Sequence, residues 1–318
     1  MFEDIAKVEN LFKAWREFAK GKRYKRDVQE FQLNLADNIF DLYIDLVNYT
    51  YCHGSYQGFK INDPKPRDIH KARVRDRLLH HAVYRILYPF FDKKFIADSY
   101  SCRNKNGTHK AMNRFRTFAY KVSRNDTRTC WILKCDIRKF FASINHDILK
   151  RILASHINDK DTLWLLSQVI DSFNPGLPLG NLTSQLLVNI YMNEFDQFLK
   201  HKLGVRYYIR YADDFILLHY SKQYLENMLP KISEFLMKQL KLNLHPDKVF
   251  IKTIVSGIDF LGWVHFPDHR VLRTSMKRRM LRRLTGARDQ QTVNSYLGLL
   301  KHGNAYGIRN RVVCEFLS

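Results

Sequence analysis

The stretch Tyr211-Ala212-Asp213-Asp214-Phe215 places two adjacent aspartates between two apolar runs, at residues 207–209 and 215–218. This pattern predicts two β-strands joined by a tight turn, with the acidic pair at the turn. A turn can aim neighbouring carboxylates at one point, where a divalent cation with oxygen ligands relieves their repulsion. A solvent-exposed Asp-Asp turn is the ordinary alternative, and a third acid earlier in the chain argues against it.

The third acid is Asp136, which ends the apolar run Trp131-Ile132-Leu133-Lys134-Cys135. The run predicts a buried strand that carries a carboxylate at its end. An aspartate in this position is often a helix cap, but Asp147 is the better cap for the helix expected from His146 onward. Because helices separate Asp136 from the later acidic pair, the three carboxylates can meet only in an α+β sheet.

The composition favours a polyanionic partner. The chain of 318 residues has 53 Lys and Arg against 31 Asp and Glu, a net charge of +22, and bound phosphates release counterions. A membrane surface is the competing partner, but no stretch approaches the roughly 20 apolar residues of a spanning helix. The N-terminus lacks the features of a secretory signal. The five cysteines form no Cys-x-x-Cys pair, so we expect a reduced intracellular protein.

Helical periodicity dominates the first part of the chain. It predicts two helices within residues 1–50, of which the second carries Phe31, Leu35, Ile39, Leu42 and Leu46. The basic residues 20–26 between them are either a solvated loop or a phosphate contact. Residues 71–87 predict a basic amphipathic helix, whose cations are either solvated or bind a triphosphate or a template backbone.

Later segments combine loops, helices and strands. Residues 174–185 predict an irregular loop that feeds a helix, and its small residues either let a flat ligand approach the backbone or make an ordinary helix entry. Residues 222–240 predict an amphipathic helix and residues 256–264 one further strand. Residues 277–283 begin a basic helical segment that is typical of a nucleic-acid contact.

The three acids suit a template-directed nucleotidyl transferase. Two metal ions held by Asp136, Asp213 and Asp214 would activate a 3′-hydroxyl and stabilise a departing pyrophosphate. The basic segments would contact template and primer. Phe141, five residues after Asp136, could crowd a sugar 2′-position and so select deoxynucleotides.

With these motifs in this order, roughly residues 50–270 resemble the reverse transcriptase family. Cys135-Asp136-Ile137-Arg138-Lys139-Phe140-Phe141 resembles the first palm motif, and Gly176-Leu177-Pro178-Leu179-Gly180 through Gln185 resembles the second. Tyr211-Ala212-Asp213-Asp214 matches the family's signature box. Lys248 stands where the family places a lysine near the pyrophosphate, and Phe260-Leu261-Gly262-Trp263 resembles the primer grip.

The resemblance implies an α+β fold with right-hand polymerase architecture. Its parts would be an N-terminal helical extension at 1–50, fingers at 51–130, a palm with part of the fingers at 131–268, and a small helical thumb at 269–318. Two Mg²⁺ ions are implied, with Mn²⁺ as a substitute. The implied site comprises the catalytic Asp136, Asp213, Asp214 and Lys248, the same three aspartates with the Ile137 carbonyl as metal ligands, and nucleotide or template contacts at Lys65, Arg67, Arg75, Arg77, Phe141, Leu179, Gly180, Gln185 and Tyr211.

One departure from the family's usual second motif indicates a narrower class within the family. Most reverse transcriptases carry Gln-Gly and then Ser-Pro in the second motif, where this chain has Leu179-Gly180 and Ser184-Gln185. This variant, together with the Gly-Lys-Arg stretch near the N-terminus, resembles the enzymes of diversity-generating retroelements. Those enzymes copy a template RNA with errors at adenines and act with a small basic accessory protein oligomer. Leu179 lacks the hydrogen-bonding side chain that glutamine would place beside the incoming nucleotide, which would relax base selection. The alternative is that leucine only replaces glutamine in packing, without effect on fidelity.

We therefore expect a cytoplasmic RNA-directed DNA polymerase of bacterial, archaeal or phage origin. Its partners would be template RNA, an RNA/cDNA duplex, dNTPs and the accessory oligomer, with no membrane and no integrase, RNase H or nuclease domain. The alternatives are a stand-alone bacterial reverse transcriptase that copies its own noncoding RNA, and a catalytically idle, maturase-like RNA-binding protein.

Overall fold

The computed structural model of the protein describes residues 1–62, 66–286 and 290–316. The chain divides into two compact units. The first comprises Met1–Ala97, Ile137–Gly204 and Ser233–Leu244, and the second comprises Asp98–Asp136, Val205–Ile232 and His245–Ser318. Lys65, one of the predicted triphosphate contacts, lies outside the described residues.

Helices account for most of the regular structure. In the described residues they are α1 (Phe2–Ala6), α2 (Val8–Ala19), α3 (Arg26–Leu33), α4 (Leu35–Val47), α5 (Val74–Asp92), α6 (Thr108–Ser123), α7 (His146–Ala154), α8 (Lys160–Asp171), α9 (Leu182–Gln197), α10 (Lys222–Leu240), α11 (Thr274–Gly286), α12 (Gln290–Leu300) and α13 (Tyr306–Phe316).

The strands form three antiparallel sheets among the described residues. They are β1 (Gln57–Ile61), β2 (Arg67–Lys71), β3 (Trp131–Asp136), β4 (Tyr208–Tyr211), β5 (Asp214–His219), β6 (Phe250–Thr253), β7 (Ile258–Phe260), β8 (Trp263–His265) and β9 (Arg270–Leu272). The sheet orders are β1-β2, β4-β5-β3-β6 and β7-β8-β9. Helices and antiparallel sheets in one chain confirm the α+β class.

The first unit is built on helices. Helix α5 packs against α2 and α9, because its apolar stripe, including Leu79, Val83 and Leu87, is buried. The single helix expected through residues 31–46 is wrong. Asn34 adopts φ −116° and ψ 46°, which ends α3 and starts α4 in a new direction.

Helix α4 is apolar on two faces. Ile39, Leu42 and Leu46 are buried against the first unit. On its other side Phe40 and Ile44, one helical turn apart, are 48% and 50% exposed. A surface helix ordinarily carries polar residues on the side away from the core, so the exposed Phe40 and Ile44 among the acids of α4 are unusual.

The four-stranded sheet forms the centre of the second unit. Ile132 on β3, Ile209 on β4, and Ile216 and Leu218 on β5 are buried in one apolar cluster, which also takes in Phe115 from α6. The sequence alternation of β3 places Ile132, Lys134 and Asp136 on one side of the strand and the intervening residues on the other. The sheet therefore fixes the direction of the acidic residues at the ends of β3 and β5.

Two local expectations differ from the structure. Asn145, rather than Asp147, caps α7, since its side-chain oxygen accepts a hydrogen bond from the Ile148 amide at 2.9 Å. Residues 256–264 form a hairpin, β7 and β8, rather than one strand. Leu261 and Gly262 both adopt positive φ, at 53° and 86°, and two such residues make the tight turn that joins antiparallel strands.

The C-terminal helices α11 to α13 share an apolar cluster with β8. Trp263, Met280, Leu284, Leu300 and Val312 are buried in it, which confirms the minor core expected for this segment. No helix in the described parts of the chain is both long and apolar enough to cross a membrane.

Candidate active site

The acidic turn joins β4 to β5. Tyr211 and Asp214 are partners in the antiparallel register, so Ala212 and Asp213 form a two-residue loop. Ala212 adopts φ 56°, the left-handed conformation that such turns require. Asp214 is thus the first residue of β5, and Asp213 lies in the turn itself. The hairpin predicted from the sequence is confirmed.

Asp136 is brought to the same end of the sheet. Strand β3 pairs with β5, and Asp136 and Asp214 are direct partners across the two strands. Carboxylates placed opposite each other in this way repel. The three acids of the sequence pattern therefore lie at one end of the sheet, with Asp136 on β3, Asp214 on β5 and Asp213 in the turn that joins β4 to β5, as the α+β arrangement predicted.

Two lysines neutralise this acidic end of the sheet. Lys248 Nζ donates a hydrogen bond to Asp136 Oδ1 at 2.8 Å. Lys134 Nζ lies 3.2 Å from Asp214 Oδ2 and donates to the backbone carbonyl of Asp259 at 2.7 Å. Each carboxylate of the strand pair thus has its own ammonium group, and Lys134 also ties the acidic end to β7.

Asp214 has a carboxyl group that is perturbed by its burial. Burial raises its pKa to about 6, and the charges of Asp136 and Asp213 act in the same direction, while Lys134 lowers the pKa. Its second oxygen, Oδ1, is buried and has no hydrogen-bond partner. A buried carboxylate oxygen without a partner is costly and fits a cation ligand.

The acids do not form a closed metal-ligand set. Among the described residues no group of three or more His, Cys, Asp or Glu side chains is gathered closely enough to hold a metal ion. The donor chemistry nevertheless fits a hard divalent cation, because the site offers carboxylate oxygens only and one of them, Asp214 Oδ1, lacks a partner. Ile137, whose carbonyl is the predicted further ligand, directly follows Asp136.

Lys134 is a site residue that the sequence analysis missed. Its side chain is only 12% exposed and contacts Asp214, 80 residues later in the chain. The available signal was the alternation of β3, since Lys134 stands two residues before Asp136 and hence on the same side of the strand. A lysine inside an otherwise apolar strand, on the side of a carboxylate, indicates an ion pair.

Tyr211, predicted beside the nucleotide, also borders the turn. Its hydroxyl accepts a hydrogen bond from the Thr108 side chain at 3.2 Å, which links the end of β4 to the start of α6.

Phe141 lies in the first unit, on a short 3₁₀ turn at Phe140–Ser143. Its backbone carbonyl accepts a hydrogen bond from the Leu177 amide at 2.8 Å. The second motif is thereby joined to Phe141, the residue predicted to select the sugar. Phe140 is buried, whereas Phe141 is half-buried, so the second of the two aromatic residues is the one available to a ligand.

The predicted second-motif residues lie beside the β1–β2 hairpin. The Leu179 carbonyl accepts a hydrogen bond from the His70 amide at 3.0 Å. Gly180 has φ 117°, and a Cβ added there would approach the Ile69 side chain at 3.0 Å. Gln185, half-buried, follows on the first turn of α9. The positive φ of Gly180 and its close approach to Ile69 thus require glycine where the loop meets the hairpin.

The predicted fingers cations differ in their surroundings. Arg67 is exposed at the start of β2. Arg75 forms an ion pair with Asp45 of α4, and Arg77 Nη2 lies 2.5 Å from Asp27 of α3. Arg75 and Arg77 therefore hold helices of the first unit together, and their contact with a triphosphate stays a prediction.

A basic cavity of about 410 Å³ lies in the first unit. His80, His81 and residues of the second motif contribute to its lining. Four cations and two aromatic rings also line it: Lys22, Lys25, Lys71 and Arg77, with Phe18 and Phe59. Burial lowers the pKa of His81 to about 4, with Lys22 and Arg77 acting in the same direction. The positive charge at neutral pH therefore comes from the lysines and the arginine.

Two polar atoms in the lining of this cavity have no partner. Asn181 Oδ1 and His80 Nδ1 are buried without a hydrogen bond, although Asn181 Nδ2 donates to the Tyr56 hydroxyl at 3.3 Å. The cavity therefore presents Lys22 and Lys25 beside Lys71 and Arg77, which are paired with Asp27, together with rings for stacking and unsatisfied hydrogen-bonding groups. This combination suits a nucleotide.

A family model described as reverse transcriptase (RNA-dependent DNA polymerase) matches residues 61–265 of the chain. The match contains Asp136, the acidic turn and Lys248, so the resemblance predicted from the motifs is confirmed at the level of the family.

Two curated proteins are similar to the chain in sequence. The chain is 27% identical to protein YkfC of Escherichia coli (strain K12) over 252 residues, which cover 66% of this chain and 64% of YkfC. It is 23% identical over 317 residues to the group II intron-encoded protein LtrA of Lactococcus lactis subsp. cremoris, which covers 76% of this chain and 50% of LtrA. The chain thus spans between about half and two thirds of the length of these relatives. The narrower class of diversity-generating retroelements stays a prediction.

Solved structures show the fold. Apo telomerase from Candida tropicalis matches with a TM-score of 0.58 at 12% identity, covering 77% of this chain and 53% of the telomerase. Telomerase from Candida albicans, in complex with a fragment of telomeric RNA, matches with a TM-score of 0.53 at 11% identity, covering 77% and 54%. The expected α+β polymerase fold of the reverse-transcriptase type is confirmed.

Proposed function

The chain belongs to the reverse transcriptase (RNA-dependent DNA polymerase) family, and from this premise we propose that it copies an RNA template into DNA. The observation that carries the proposal is the acidic end of the four-stranded sheet. There Asp136 and Asp214 are direct cross-strand partners, and Asp213 stands in the adjoining turn.

Divalent metal ions serve the family in general, and here we propose two Mg²⁺ ions, with Mn²⁺ able to substitute. The carboxylates of Asp136, Asp213 and Asp214 and the carbonyl of Ile137 would hold them. When bound, such ions activate the primer 3′-hydroxyl and stabilise the departing pyrophosphate.

The chain's own residues perform the remaining tasks. Lys248, released from Asp136, would donate a hydrogen bond to a pyrophosphate oxygen. Phe141 would lie against the sugar and exclude a 2′-hydroxyl. The basic cavity of the first unit would hold a nucleotide of the RNA strand, with phosphate on its cations and the base edge at Asn181.

Replacing Asp213 by Asn tests the polymerase proposal. We expect primer extension on an RNA template to fall at least about a thousandfold, equivalent to about 4 kcal/mol of transition-state stabilisation, because a metal-binding charge is lost. RNA affinity measured by fluorescence anisotropy should stay unchanged.

The matched control is Asp147→Asn, the same chemical change on the exposed first turn of α7, which should extend primers at the wild-type rate. Extension by Asp213→Asn at the control's rate would refute the catalytic role. Failure of the wild-type chain to extend any primer would favour the maturase-like RNA-binding alternative.

We further propose that copying is error-prone at adenines, as in a diversity-generating retroelement. The support is Leu179, which stands in the second motif where a glutamine is usual and is fixed by its backbone bond to His70. A leucine there offers no hydrogen bond to the incoming nucleotide, so selection against a mismatch weakens.

Leu179→Gln tests this finer proposal by sequencing of the cDNA. We expect the substitution rate opposite template adenines to fall by about tenfold, whereas Leu33→Gln, the same change on an exposed residue, should leave it unchanged. Equal error rates in wild type and Leu179→Gln would show that leucine replaces glutamine in packing only, without effect on fidelity. Faithful copying by the wild type would favour a stand-alone or intron-type enzyme, as the similarity to LtrA also does.

An accessory protein belongs to the same proposal. Residues 27–59 contain five Asp and Glu and no Lys or Arg, within a chain of net charge +22. The outer face of α4 combines this acidity with exposed Phe40, Ile44 and Val47. Such a surface repels nucleic acid and suits a basic protein with an apolar contact face.

A further inference from the structure

Arg210 carries a fully buried guanidinium group. It stands on β4, two residues before Ala212, and is 0% exposed. Its neighbours in the sequence, Tyr208 and Ile209, are apolar and equally buried. Removing an ionised group from water costs several kcal/mol unless hydrogen bonds replace its hydration. Arginine at this position therefore requires an explanation beyond the packing of the sheet.

The hydrogen bonds of Arg210 point to the acidic turn. Nη1 donates to the backbone carbonyl of Ala212 at 3.2 Å, and Nη2 donates to the hydroxyl of Ser99 at 3.0 Å. Ser99 is itself fully buried. One planar group thus joins the turn to the segment at Ser99.

The backbone reinforces this link. The Arg210 amide donates to the Asp98 carbonyl, and the Tyr100 amide donates to the Arg210 carbonyl, both at 3.0 Å. Residues 98–100 therefore run beside β4 as a short parallel bridge. The guanidinium group is held from both sides and cannot follow a displaced turn without breaking these contacts.

The turn needs such a restraint. Ala212 has φ 56°, a conformation that costs a residue with a Cβ atom about 1–2 kcal/mol. The carbonyl that Arg210 holds belongs to this residue and is part of the peptide that links Ala212 to Asp213. The direction of that peptide decides where the Asp213 and Asp214 carboxylates point.

We propose that Arg210 is a positioning residue that fixes the Ala212–Asp213 peptide and thereby aims the catalytic carboxylates. The inference rests on the polymerase proposed above and adds a residue that touches neither nucleotide nor primer. Lysine cannot replace it, because a single ammonium group cannot match two acceptors with the fixed geometry of the guanidinium fork.

Arg210→Lys, studied in the full chain, tests the role through metal binding. Mn²⁺ affinity is measured by electron paramagnetic resonance with a dideoxy-terminated primer on an RNA template, so that no turnover occurs. We expect the Mn²⁺ dissociation constant to rise and kcat to fall by about 10- to 100-fold, as for other groups that orient metal ligands. The KM for primer–template should stay unchanged.

Arg114→Lys is the matched control. The Arg114 guanidinium binds the Asp98 carboxylate at 2.8 Å, close to Ser99 in the chain, rather than the turn. It should keep the wild-type Mn²⁺ affinity. If Arg210→Lys lowers the melting temperature but keeps the Mn²⁺ affinity and kcat of the control, Arg210 is a structural residue only and the inference is wrong.

Ser99→Ala covers the case in which Arg210→Lys does not fold. It removes one acceptor and leaves the Ala212 contact in place, so we expect a smaller rise in the Mn²⁺ dissociation constant in the same direction. An unchanged dissociation constant in Ser99→Ala would overturn the inference. A wild-type chain without primer extension would instead refute the polymerase proposal, which keeps the two failures distinct.

Discussion

At the scale of single residues, the charge of Asp214 is set by burial, by Lys134 and by the two neighbouring aspartates. Its pKa of about 6 lies above the ordinary 3.8, so the folded protein holds this proton more tightly than the unfolded chain. The contribution to the free energy of unfolding is therefore largest below about pH 4 and is lost as the pH rises through about 6. The metal ligation proposed for Asp214 needs the opposite form, the carboxylate.

Lys134→Met should move the pH profile of primer extension. Lys134 lowers the pKa of Asp214, so its removal raises that pKa and moves the acidic limb of kcat to higher pH. When the pKa rises by 1, the ionised fraction at a given pH on that limb falls about tenfold. The measurement is kcat against pH at a fixed metal concentration.

Lys252→Met provides the comparison for this experiment. Lys252 is an exposed lysine on the neighbouring strand β6, and its loss should leave the acidic limb in place. An acidic limb that stays in place in Lys134→Met would show that the ion pair does not control Asp214.

Sequence patterns predicted some residues of the candidate site and missed others. The location of the three aspartates could be predicted because Asp136 and Asp214 stand at strand ends and Asp213 stands in the turn of a recognisable motif. Lys134 and Arg210 could not, because their roles depend on contacts with residues that only the paired strands bring near. Alternation along β3 gave the side of Lys134 but not its partner.

At the scale of elements, the loop before α9 controls the segment that bears Phe141. Gly176 has φ 69°, and a Cβ added there would lie 2.2 Å from the Phe141 carbonyl oxygen. The Gly176 carbonyl accepts a hydrogen bond from His146 Nε2 at 2.7 Å. The loop and the 3₁₀ turn therefore fit together only with glycine at this position.

Gly176→Ala should both destabilise the protein and loosen sugar selection. The overlap with backbone atoms adds about 2 kcal/mol to the cost of a left-handed alanine, and the 3₁₀ turn that bears Phe141 has to move. We expect a lower free energy of unfolding in urea and more ribonucleotide incorporation in single-nucleotide extension assays.

Gly204→Ala is the control that introduces backbone strain without steric overlap. Gly204 has φ 63°, like Gly176, but open space around it. It should lose only about 1 kcal/mol and keep the discrimination between sugars. Equal behaviour of the two variants would contradict the coupling of the loop to Phe141.

Elements were predictable where periodicity was long and regular. Helix α10 at Lys222–Leu240 and strand β3 were predicted with their observed bounds. The expected single helix at 31–46 failed at Asn34, and the expected strand at 256–264 failed at Leu261 and Gly262. In both places two or three backbone angles decide the outcome, and apolar patterns carry little information about such local angles.

At the scale of the whole molecule, charge is distributed unevenly along the chain. The excess of 53 basic over 31 acidic residues predicted a nucleic-acid partner, and the family match agrees with it. Net charge could not reveal that residues 27–59 are purely acidic in their charged side chains, nor that several cations of the first unit are engaged by those acids. The predicted division into four parts stays a prediction.

The lysine pairs at the acidic end of the sheet have one more consequence. With Lys134 and Lys248 seated on Asp214 and Asp136, a divalent ion bound at these carboxylates as proposed would displace an ammonium group everywhere except at the unpartnered Asp214 Oδ1. Metal binding would then be an exchange, and its apparent affinity would be the difference between two attractions. Before the ion binds, the two lysines offset the repulsion between the carboxylates, and they would return to them when the ion leaves.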